Sequence, residues 1–304
     1  MNLDKVKPTC RNFVSVVEEL LEKRRAEAWT RQTYERWSLE ELYALYPSYE
    51  DIRRGKIQRL PSRDDVLRIA HYLHCITEET NRLLLAAEYT IVDEYLQGEE
   101  LERVLLLAEP ILKYLPFPAY VLTRDGSIPR WNGYLPRLFG LSAEEFRNIP
   151  EEQQNVFHFV FNPRTLLYPM FSGNLEKWKI TAALSIFWFK NDNMFFQYDA
   201  WYSNLRDSMM KFPGFKEMWN EITLDYKNFY QTQHLEIAPQ YLIEVITKEG
   251  NRLHIRGLQI KFFDKRYPKI IAYIPEDQAT QRIFGLLGLP TSEDWGGNRA
   301  VVSP

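Results

Sequence analysis

The chain has few cysteines and no long apolar run among its 304 residues. Its two cysteines, Cys10 and Cys75, are too far apart in the sequence for a disulfide framework or a zinc site, which favours a reducing compartment. No window of about 18 uninterrupted apolar residues occurs, and the charged start lacks the apolar core of a secretion signal. We therefore expect a cytoplasmic protein without membrane insertion.

A strong net charge and the common catalytic motifs are also missing. The formal net charge of −3 gives no global basic field, so any contact with nucleic acid must be local. There is no Gly-x-Ser-x-Gly elbow, phosphate loop, glycine-rich dinucleotide turn or His-Glu-x-x-His. His71, His74 and Cys75 have metal-like spacing, but they fall on a predicted amphipathic helix whose packing explains them better. We predict a protein that is not an enzyme, with no catalytic residues, no metal site and no cofactor.

Apolar and aromatic residues are plentiful by contrast. Hydrophobic residues make up 45% of the chain and aromatic residues 14%, which is enough to bury cores of ordinary size. We therefore predict an ordered protein of two domains.

The first part of the chain is helical by pattern and carries a basic stretch. An apolar stripe at helical spacing starts at Phe13, and Pro61-Ser62 followed by Asp65 indicates the start of a helix. Residues 53–68 hold six cations against Asp64 and Asp65. Because a basic turn can fix the register of a protein on duplex DNA, we predict phosphate contacts here. The predicted contacts are Arg53, Arg54, Lys56, Arg59 and Arg63.

Several stretches of this region resemble the last two helices of Cro/repressor-type (XRE) helix-turn-helix domains. They are Arg54-Gly55-Lys56, Leu60-Pro61-Ser62, Val66–Ala70 and Thr77–Tyr89. The resemblance implies binding to double-stranded DNA. Upstream the chain departs from the family, because a second helix at Leu39–Leu42 leaves too few residues before Ile52, and Pro47 falls where a recognition helix should begin. A helical bundle that has lost its DNA-reading surface stays open as an alternative.

Residues 98–116 form a predicted amphipathic helix that ends at Pro116 and connects to the second domain. Such a connector could carry a ligand-driven shift, supply the seam of a homodimer, or simply pack on its own domain.

The stretch from Phe117 to Leu141 predicts a hairpin followed by a helical segment. Ala119–Leu122 is a β-prone run, Asp125-Gly126 is a strong signal for a two-residue turn, and Ile128–Asn132 supplies the returning strand. This order of residues is similar to the opening of a PAS domain, a fold that holds small ligands against one face of its sheet.

A long helical, aromatic-rich insertion follows, opened by a capping box at Ser142 and ended by Pro213-Gly214. Further strands are predicted at 241–247, 253–262 and 270–274, and a parity switch at Gly257 indicates a β-bulge. The predicted fold class is α+β, with an N-terminal all-α helix-turn-helix-like bundle and a C-terminal PAS-like five-stranded antiparallel sheet with a long helical insertion. The predicted boundaries are 1–97 for the DNA-binding domain, 98–116 for the connector helix, 117–285 for the ligand-binding domain and 286–304 for a flexible tail.

Residues 10–280 together resemble the MmyB-like transcription regulators, in which an XRE-type domain precedes a PAS-like ligand-binding domain. In the second half the likeness rests, in this order, on Asn162-Pro163, Leu205-Arg206, Phe212-Pro213, Phe215–Trp219 and Lys269–Pro275. The His-Pro element that the family carries before its final hairpin has no clear counterpart here. The resemblance implies a ligand-responsive transcription regulator that binds a hydrophobic small molecule, with a long-chain fatty acid as the expected type.

The large aromatic side chains of the second half exceed what one small sheet needs to bury. Either they fill a thick core, or some of them line a cavity. A buried carboxylate head would need a donor, for which Arg206, Arg164, His158 and Asn132 are the candidates. The predicted ligand-binding residues are Trp131, Asn132, Phe139, His158, Phe161, Arg164, Trp178, Phe187, Trp201, Tyr202, Leu205, Arg206 and Trp219.

Two other functions stay open. A PAS-type sensor that acts by protein contact alone would show no salt-dependent DNA binding. An acyl-processing enzyme would need a nucleophile and a base that face the cavity.

Overall fold

The structure of the protein, a computed structural model, describes residues 7–31, 37–224 and 242–289. The chain divides into two compact units. The first unit takes the chain up to Glu94 together with Met194–Ser203, and the second takes Tyr95–Asn193 and the chain from Asn204 onward. Within the described ranges, no helix combines the length and the apolar character needed to cross a membrane.

The first unit is helical, as the sequence predicts. Its described helices before Glu94 are α1 (Pro8–Arg31), α2 (Leu39–Leu45), α3 (Ser48–Arg53), α4 (Arg63–Tyr72) and α5 (Thr77–Ala86). The helix start at Ser62 is confirmed, because its Oγ accepts a hydrogen bond from the backbone N of Asp65 at 3.2 Å. One apolar core joins the helices and includes Phe13, Leu20, Leu42, Ile52, Ile69 and Leu83, all fully buried.

The helices α2 and α3 are joined by Tyr46 and Pro47 alone. The sequence leaves few residues between Leu39 and Ile52 for two helices. They fit because the link between them is short and because α3 is only six residues long. Pro47 stands directly before α3, where a proline breaks no helical hydrogen bond.

The second unit contains a five-stranded antiparallel sheet that curls into a half-barrel, which confirms the predicted α+β fold class. The strands are β1 (Ala119–Leu122), β2 (Arg130–Trp131), β3 (Leu242–Ile246), β4 (Arg252–Ile260) and β5 (Lys269–Pro275). Their order across the sheet is β2-β1-β5-β4-β3. The hairpin predicted around Asp125-Gly126 is confirmed, since β1 pairs antiparallel with β2.

The predicted β-bulge at Gly257 is wrong. The register of β4 against β5 runs without interruption from Ile255 to Ile260, and Gly257 pairs directly with Tyr273. The alternation of apolar residues in β4 changes phase at Gly257 for another reason, which is that protein covers both faces of the sheet. Leu253 and Ile255 are buried on one face, and Ile260 packs against a core on the other.

Helix α6 (Gly98–Tyr114) covers this second face of the sheet. Its Leu105, Ala108 and Leu112 share a core with alternate residues of β1 and β5, so the predicted connector helix packs on its own unit. Leu106 and Leu107 remain exposed, and the homodimer seam on this helix stays a prediction.

The helical insertion between β2 and β3 is also confirmed. It contains α7 (Tyr134–Leu138), α8 (Ala143–Arg147), α9 (Val156–Phe161), α10 (Tyr168–Ser172), α11 (Leu175–Asp192), α12 (Ala200–Met209) and α13 (Pro213–Glu221). The capping box at Ser142 is present. The helix before Pro213, α12, ends at Met209, and Pro213 is the first residue of α13. Proline is favoured in the first turn of a helix, so Pro213 begins a helix here instead of ending one.

A further helix, α14 (Gln278–Leu286), follows β5 and is capped by Asp277, whose side chain accepts from the backbone N of Thr280. This helix was not predicted from the sequence. The first residue of the strand predicted at 241–247 and the part of the predicted tail from residue 290 onward lie outside the described residues.

Candidate ligand cavity in the second unit

A cavity of about 180 Å³ lies between the sheet and the inserted helices of the second unit. Its floor is the sheet face opposite α6, because Lys269, Ile271 and Tyr273 alternate along β5 and share one side of the strand. Helices α9 and α11 supply much of the wall. Representative apolar lining residues are Leu122, Ile128, Phe157, Leu184, Phe189 and Ile243.

One end of the cavity is charged. The charged residues that line it are Arg124, Asp192 and Lys269, and all three are buried. Arg124 follows β1, Asp192 ends α11 and Lys269 begins β5, so three separate elements bring these groups together. The Arg124 guanidinium donates through Nη1 to the backbone carbonyl of Asp192 at 3.2 Å.

The Asp192 carboxylate is the centre of this cluster. The Tyr267 hydroxyl donates to Asp192 Oδ2 at 2.7 Å, and the side chains of Arg266 and Asp192 form a close ion pair. Lys269 Nζ stands 3.5 Å from the same carboxylate and 4.3 Å from the centre of the Tyr267 ring. The carboxylate therefore has nearer partners than Lys269.

Burial governs the proton affinities of this cluster. It lowers the pKa of Lys269 to about 8, although the nearby Asp192 carboxylate acts in the opposite direction. Burial, assisted by the charge of Asp192, raises the pKa of Tyr267 well above its usual value. At neutral pH, Tyr267 is therefore a neutral phenol, and Lys269 holds its proton more weakly than an exposed lysine does.

Of the predicted ligand-binding residues, Phe139 lines the cavity. Several of the others pack on one another instead. The ring of Phe161 lies 6.1 Å from that of Trp178, and the ring of Trp219 stacks on Phe215 at 5.2 Å. These rings fill a core, which is the first of the two roles that the sequence left open for the aromatic residues.

The remaining predicted aromatic and apolar residues also lie away from the cavity wall. Phe187 is fully buried on α11, and Trp131 packs against Phe146 with ring centres 5.0 Å apart. Trp201 and Tyr202 belong to Met194–Ser203, which is part of the first unit, and Leu205 follows them along α12.

None of the four predicted head-group donors lies on the cavity wall. Asn132 holds a turn, because its Oδ1 accepts from the backbone N of Ala119 at 3.1 Å and its Nδ2 donates to the carbonyl of Phe117 at 2.6 Å. The His158 ring contacts the Asn162 side chain at 3.1 Å, and burial lowers the pKa of His158.

The two predicted arginines are on the surface side of the insertion. Arg206 Nε pairs with the neighbouring Asp207 at 2.8 Å, and Arg164 is exposed.

The charged residues that do line the cavity were missed by sequence reasoning. Lys269 offered a signal, because a lysine at the start of the apolar run Lys269–Pro275 must be paired or functional once both faces of the strand are covered. Arg124 was hidden inside a turn motif, and Asp192 at a helix end looked like a surface residue.

In the first unit, the predicted phosphate contacts have carboxylate partners within their own fold. Arg53 Nε lies 2.5 Å from Glu18, Arg54 pairs with Glu50 at 2.6 Å, and Lys56 pairs with Asp51 at 3.1 Å. These three carboxylates lie outside residues 53–68, so the sequence window overstates the free positive charge. Among the described residues, no ion pair involves Arg59 or Arg63.

Comparisons with known proteins bear on the second unit. The search of curated proteins found no match for the chain. Residues 108–233 match the family model of the MmyB-like transcription regulator ligand binding domain. This match covers the hairpin, much of the insertion and most of the cavity wall. Residues 108–233 therefore resemble the ligand-binding domain of MmyB-like transcription regulators.

Proposed function

We propose that the protein regulates transcription in response to an apolar small molecule of fatty-acid type that binds in the cavity, and that its N-terminal helices bind double-stranded DNA. The observation that carries the proposal is an apolar cavity whose walls come largely from the matched residues 108–233. Ligand pockets are typically concave and mostly apolar, with a few polar groups at defined places.

The size of the cavity limits how much of the ligand it can enclose. An apolar cavity of about 150 Å³ is large enough for benzene. The volume of about 180 Å³ here therefore accepts an apolar group of that order. The rest of a long acyl chain would need additional space, so we expect affinity to rise with chain length only until the enclosed volume is full.

The energetics favour such a ligand. Burial of each methylene contributes about 0.8 kcal/mol, so six to eight methylenes would contribute roughly 5–6 kcal/mol before the costs of ordering. That gross value is large enough for measurable binding in solution.

Calorimetric titration with straight-chain carboxylic acids of increasing length tests the ligand part of the proposal. The decisive variant is Ser185→Phe, because Ser185 lines the cavity from α11 and a phenyl ring there would occupy the space. The matched control is Lys179→Phe, which adds the same ring at an exposed position of the same helix. We expect acids to bind the native protein and the control, and to bind the filled variant at least tenfold more weakly. Equal binding by all three proteins would contradict the proposal.

The DNA-binding part is tested by fluorescence anisotropy with a pool of duplexes over a range of salt concentrations. Phosphate contacts release counterions, so the logarithm of the affinity should fall linearly with the logarithm of the salt concentration. The same titration with bound acid tests whether the ligand changes DNA affinity.

A second candidate function is a sensor that has lost DNA binding, and α3 favours it. Tyr49 and Ile52 of this helix are buried in the core, and Glu50 and Asp51 occupy positions that are not buried. Carboxylates repel the phosphate backbone and suit only a cytosine edge among the bases. Ligand binding without any salt-dependent DNA binding would support this candidate.

A further inference from the structure

Lys269 places an amine at the polar end of the cavity. It begins β5, and the alternation along this strand puts its side chain on the same face as Ile271 and Tyr273, which form the cavity floor. The side chain is 9% exposed. Within the described ranges, it contacts the Asp192 carboxylate at 3.5 Å and the ring face of Tyr267 at 4.3 Å. The amine is therefore sheltered from bulk water while it lines the cavity.

The fold holds this nitrogen loosely. An ammonium group has three donors, and its strong hydrogen bonds to carboxylates are about 2.7–2.9 Å long. The distance of 3.5 Å to Asp192 exceeds that range, and the Tyr267 hydroxyl already donates to Asp192 Oδ2 at 2.7 Å. A ring face attracts a cation but is no ordinary hydrogen-bond acceptor. Loss of a proton from Lys269 Nζ therefore breaks few contacts.

The surroundings also favour the neutral amine, which is the form of lysine that attacks carbonyl carbons. Burial lowers the pKa of Lys269 to about 8. At pH 7, about one Lys269 side chain in ten is then unprotonated, compared with fewer than about one in a thousand for an exposed lysine. Apolar surroundings activate lysines for bond formation with carbonyl compounds in this way.

We infer that Lys269 captures apolar aldehydes inside the cavity as a protonated imine. The inference rests on the proposed ligand-binding function of the cavity and adds a second ligand class, held by a covalent bond that a carboxylic acid does not form with an amine in neutral water.

The reaction needs no oxidant or reductant. The lone pair of Lys269 Nζ attacks the aldehyde carbon and forms a carbon–nitrogen bond, and the carbonyl oxygen leaves as water. One neutral amine, one aldehyde and one proton are consumed, and one protonated imine and one water are formed.

The cluster suits this product. A protonated imine keeps the positive charge of the lysine on the same nitrogen, so the Asp192 carboxylate at 3.5 Å serves as its counter-ion. The apolar floor beside Lys269 accepts the alkyl tail. Binding of the tail holds the carbonyl carbon near the amine, which replaces an encounter in solution by a reaction within one complex.

Calorimetric titration of the full chain with octanal and octanamide at pH 7 tests the bond. Both molecules have the same tail and a carbonyl at the same carbon, but the amide carbonyl forms no imine with an amine in neutral water. We expect octanal to bind the native protein at least about tenfold more tightly than octanamide. In Lys269→Arg, which keeps a cation but has no free amine at this pH, the affinity ratio should be near one. Binding of octanamide shows that this variant is folded.

Reduction with cyanoborohydride converts an imine into a stable secondary amine and so marks the lysine that formed it. After incubation with octanal, peptide mass spectrometry should place most octyl groups on Lys269. Lys190 is the matched control within the native protein, because burial lowers its pKa to about 8 as well. Its Nζ donates to the carbonyl oxygens of Trp219 and Ile222 at 2.5 and 2.8 Å, and it does not line the cavity. Labelling of Lys190 should therefore be at least about tenfold lower.

The variants that test the cavity also test where the reaction takes place. Ser185→Phe fills the space beside α11 and should reduce the labelling of Lys269 about tenfold, whereas Lys179→Phe should leave it unchanged.

Each outcome decides between the two claims. Equal affinity of the native protein for octanal and octanamide, an unchanged ratio in Lys269→Arg, or equal labelling of Lys190 and Lys269 would overturn the imine. Binding of octanoate by the same protein would leave the cavity function standing. Absence of binding by octanal, octanamide and octanoate would contradict the proposed function itself and the inference with it.

Discussion

The basic turn of the first unit and the polar end of the cavity in the second unit both bring cations together, but their partners differ. In the basic turn, Arg53, Arg54 and Lys56 each have a carboxylate within 3.1 Å. In the cavity, Arg124 and Lys269 share Asp192, whose nearer partners are other groups. These three cations of the basic turn each have a carboxylate partner, whereas Arg124 and Lys269 line the cavity with a single carboxylate, Asp192.

This difference shows why a charge count along the sequence is a poor guide to a binding surface. Glu18, Glu50 and Asp51 come from outside the basic stretch and reduce its field. A buried charge, by contrast, has a large effect, because water screens it little. Substitutions of cations that differ in burial or in their carboxylate partners separate the effects of these two factors on stability and on binding.

The largest effect is expected for a buried and fully matched cation, Arg24. Its Nε donates to the carbonyl of Leu73 at 2.7 Å, and its guanidinium pairs with the buried Glu79. Arg24→Met would leave that carboxylate with Lys23 as its cationic partner, so we expect a loss of about 3–5 kcal/mol in the free energy of unfolding. Urea denaturation measures it, and a loss below about 1 kcal/mol would contradict the importance of burial.

The next effect is a pH dependence of acid binding. The pKa of Lys269 is about 8 without ligand, and the bound carboxylate should raise it. Affinity for octanoate should therefore be close to full below about pH 7 and fall about tenfold between pH 7 and pH 9, as the lysine loses its proton in the free protein.

The charged and titratable groups around Lys269 are Asp192, Arg124, Arg266 and Tyr267. Burial raises the pKa of Tyr267 well above the usual value for tyrosine, so its titration does not account for a fall in affinity between pH 7 and pH 9. Calorimetry across this pH range should give a flat profile for octanamide and for the Lys269→Met variant. A parallel fall for acid and amide would show that the pH dependence does not come from contact between Lys269 and the carboxylate, and it would contradict the prediction.

A smaller effect is expected on the salt dependence of DNA binding. Arg59 and Arg63 are the predicted phosphate contacts without an ion pair among the described residues, so the double variant Arg59→Ala/Arg63→Ala should reduce the salt slope by about 2. The matched double variant Arg54→Ala/Lys56→Ala should reduce it less, because these cations already have carboxylate partners. Anisotropy titrations that show the reverse order would contradict this distinction.

The smallest effect is expected for the stability contribution of an exposed pair. The Arg54 side chain is 59% exposed and pairs with Glu50 one helical turn away. Arg54→Ala should change the free energy of unfolding by less than about 0.5 kcal/mol, since exposed ion pairs contribute little. Urea denaturation of this variant and of Arg24→Met measures the loss in the free energy of unfolding for each. Similar losses for the two variants would contradict the predicted difference.

Much of the fold was predictable because local chemistry defines it. The Asp125-Gly126 turn, the caps at Ser62 and Ser142 and the alternation in β3 and β4 each act within a few residues, and all are found where the sequence indicates. The errors arose where distant packing decides. The parity switch at Gly257 reflects α6 on the second sheet face, and no local pattern reports that contact.

The candidate site was less predictable for the same reason. An aromatic side chain can fill a core or line a cavity, and the sequence does not distinguish Phe139, which lines the cavity, from Phe161, which does not. The charged end of the cavity joins residues from a turn, a helix end and a strand start. The spacing of these residues along the sequence does not show that they lie close together in the folded protein.

Mass spectrometry after gentle extraction of the purified protein tests most directly whether the cavity holds an apolar acid. We predict that an apolar carboxylic acid is recovered in near-stoichiometric amount from the native protein and is depleted from Ser185→Phe purified in parallel. Recovery of no such acid from folded native protein, together with no binding of added acids, would contradict it.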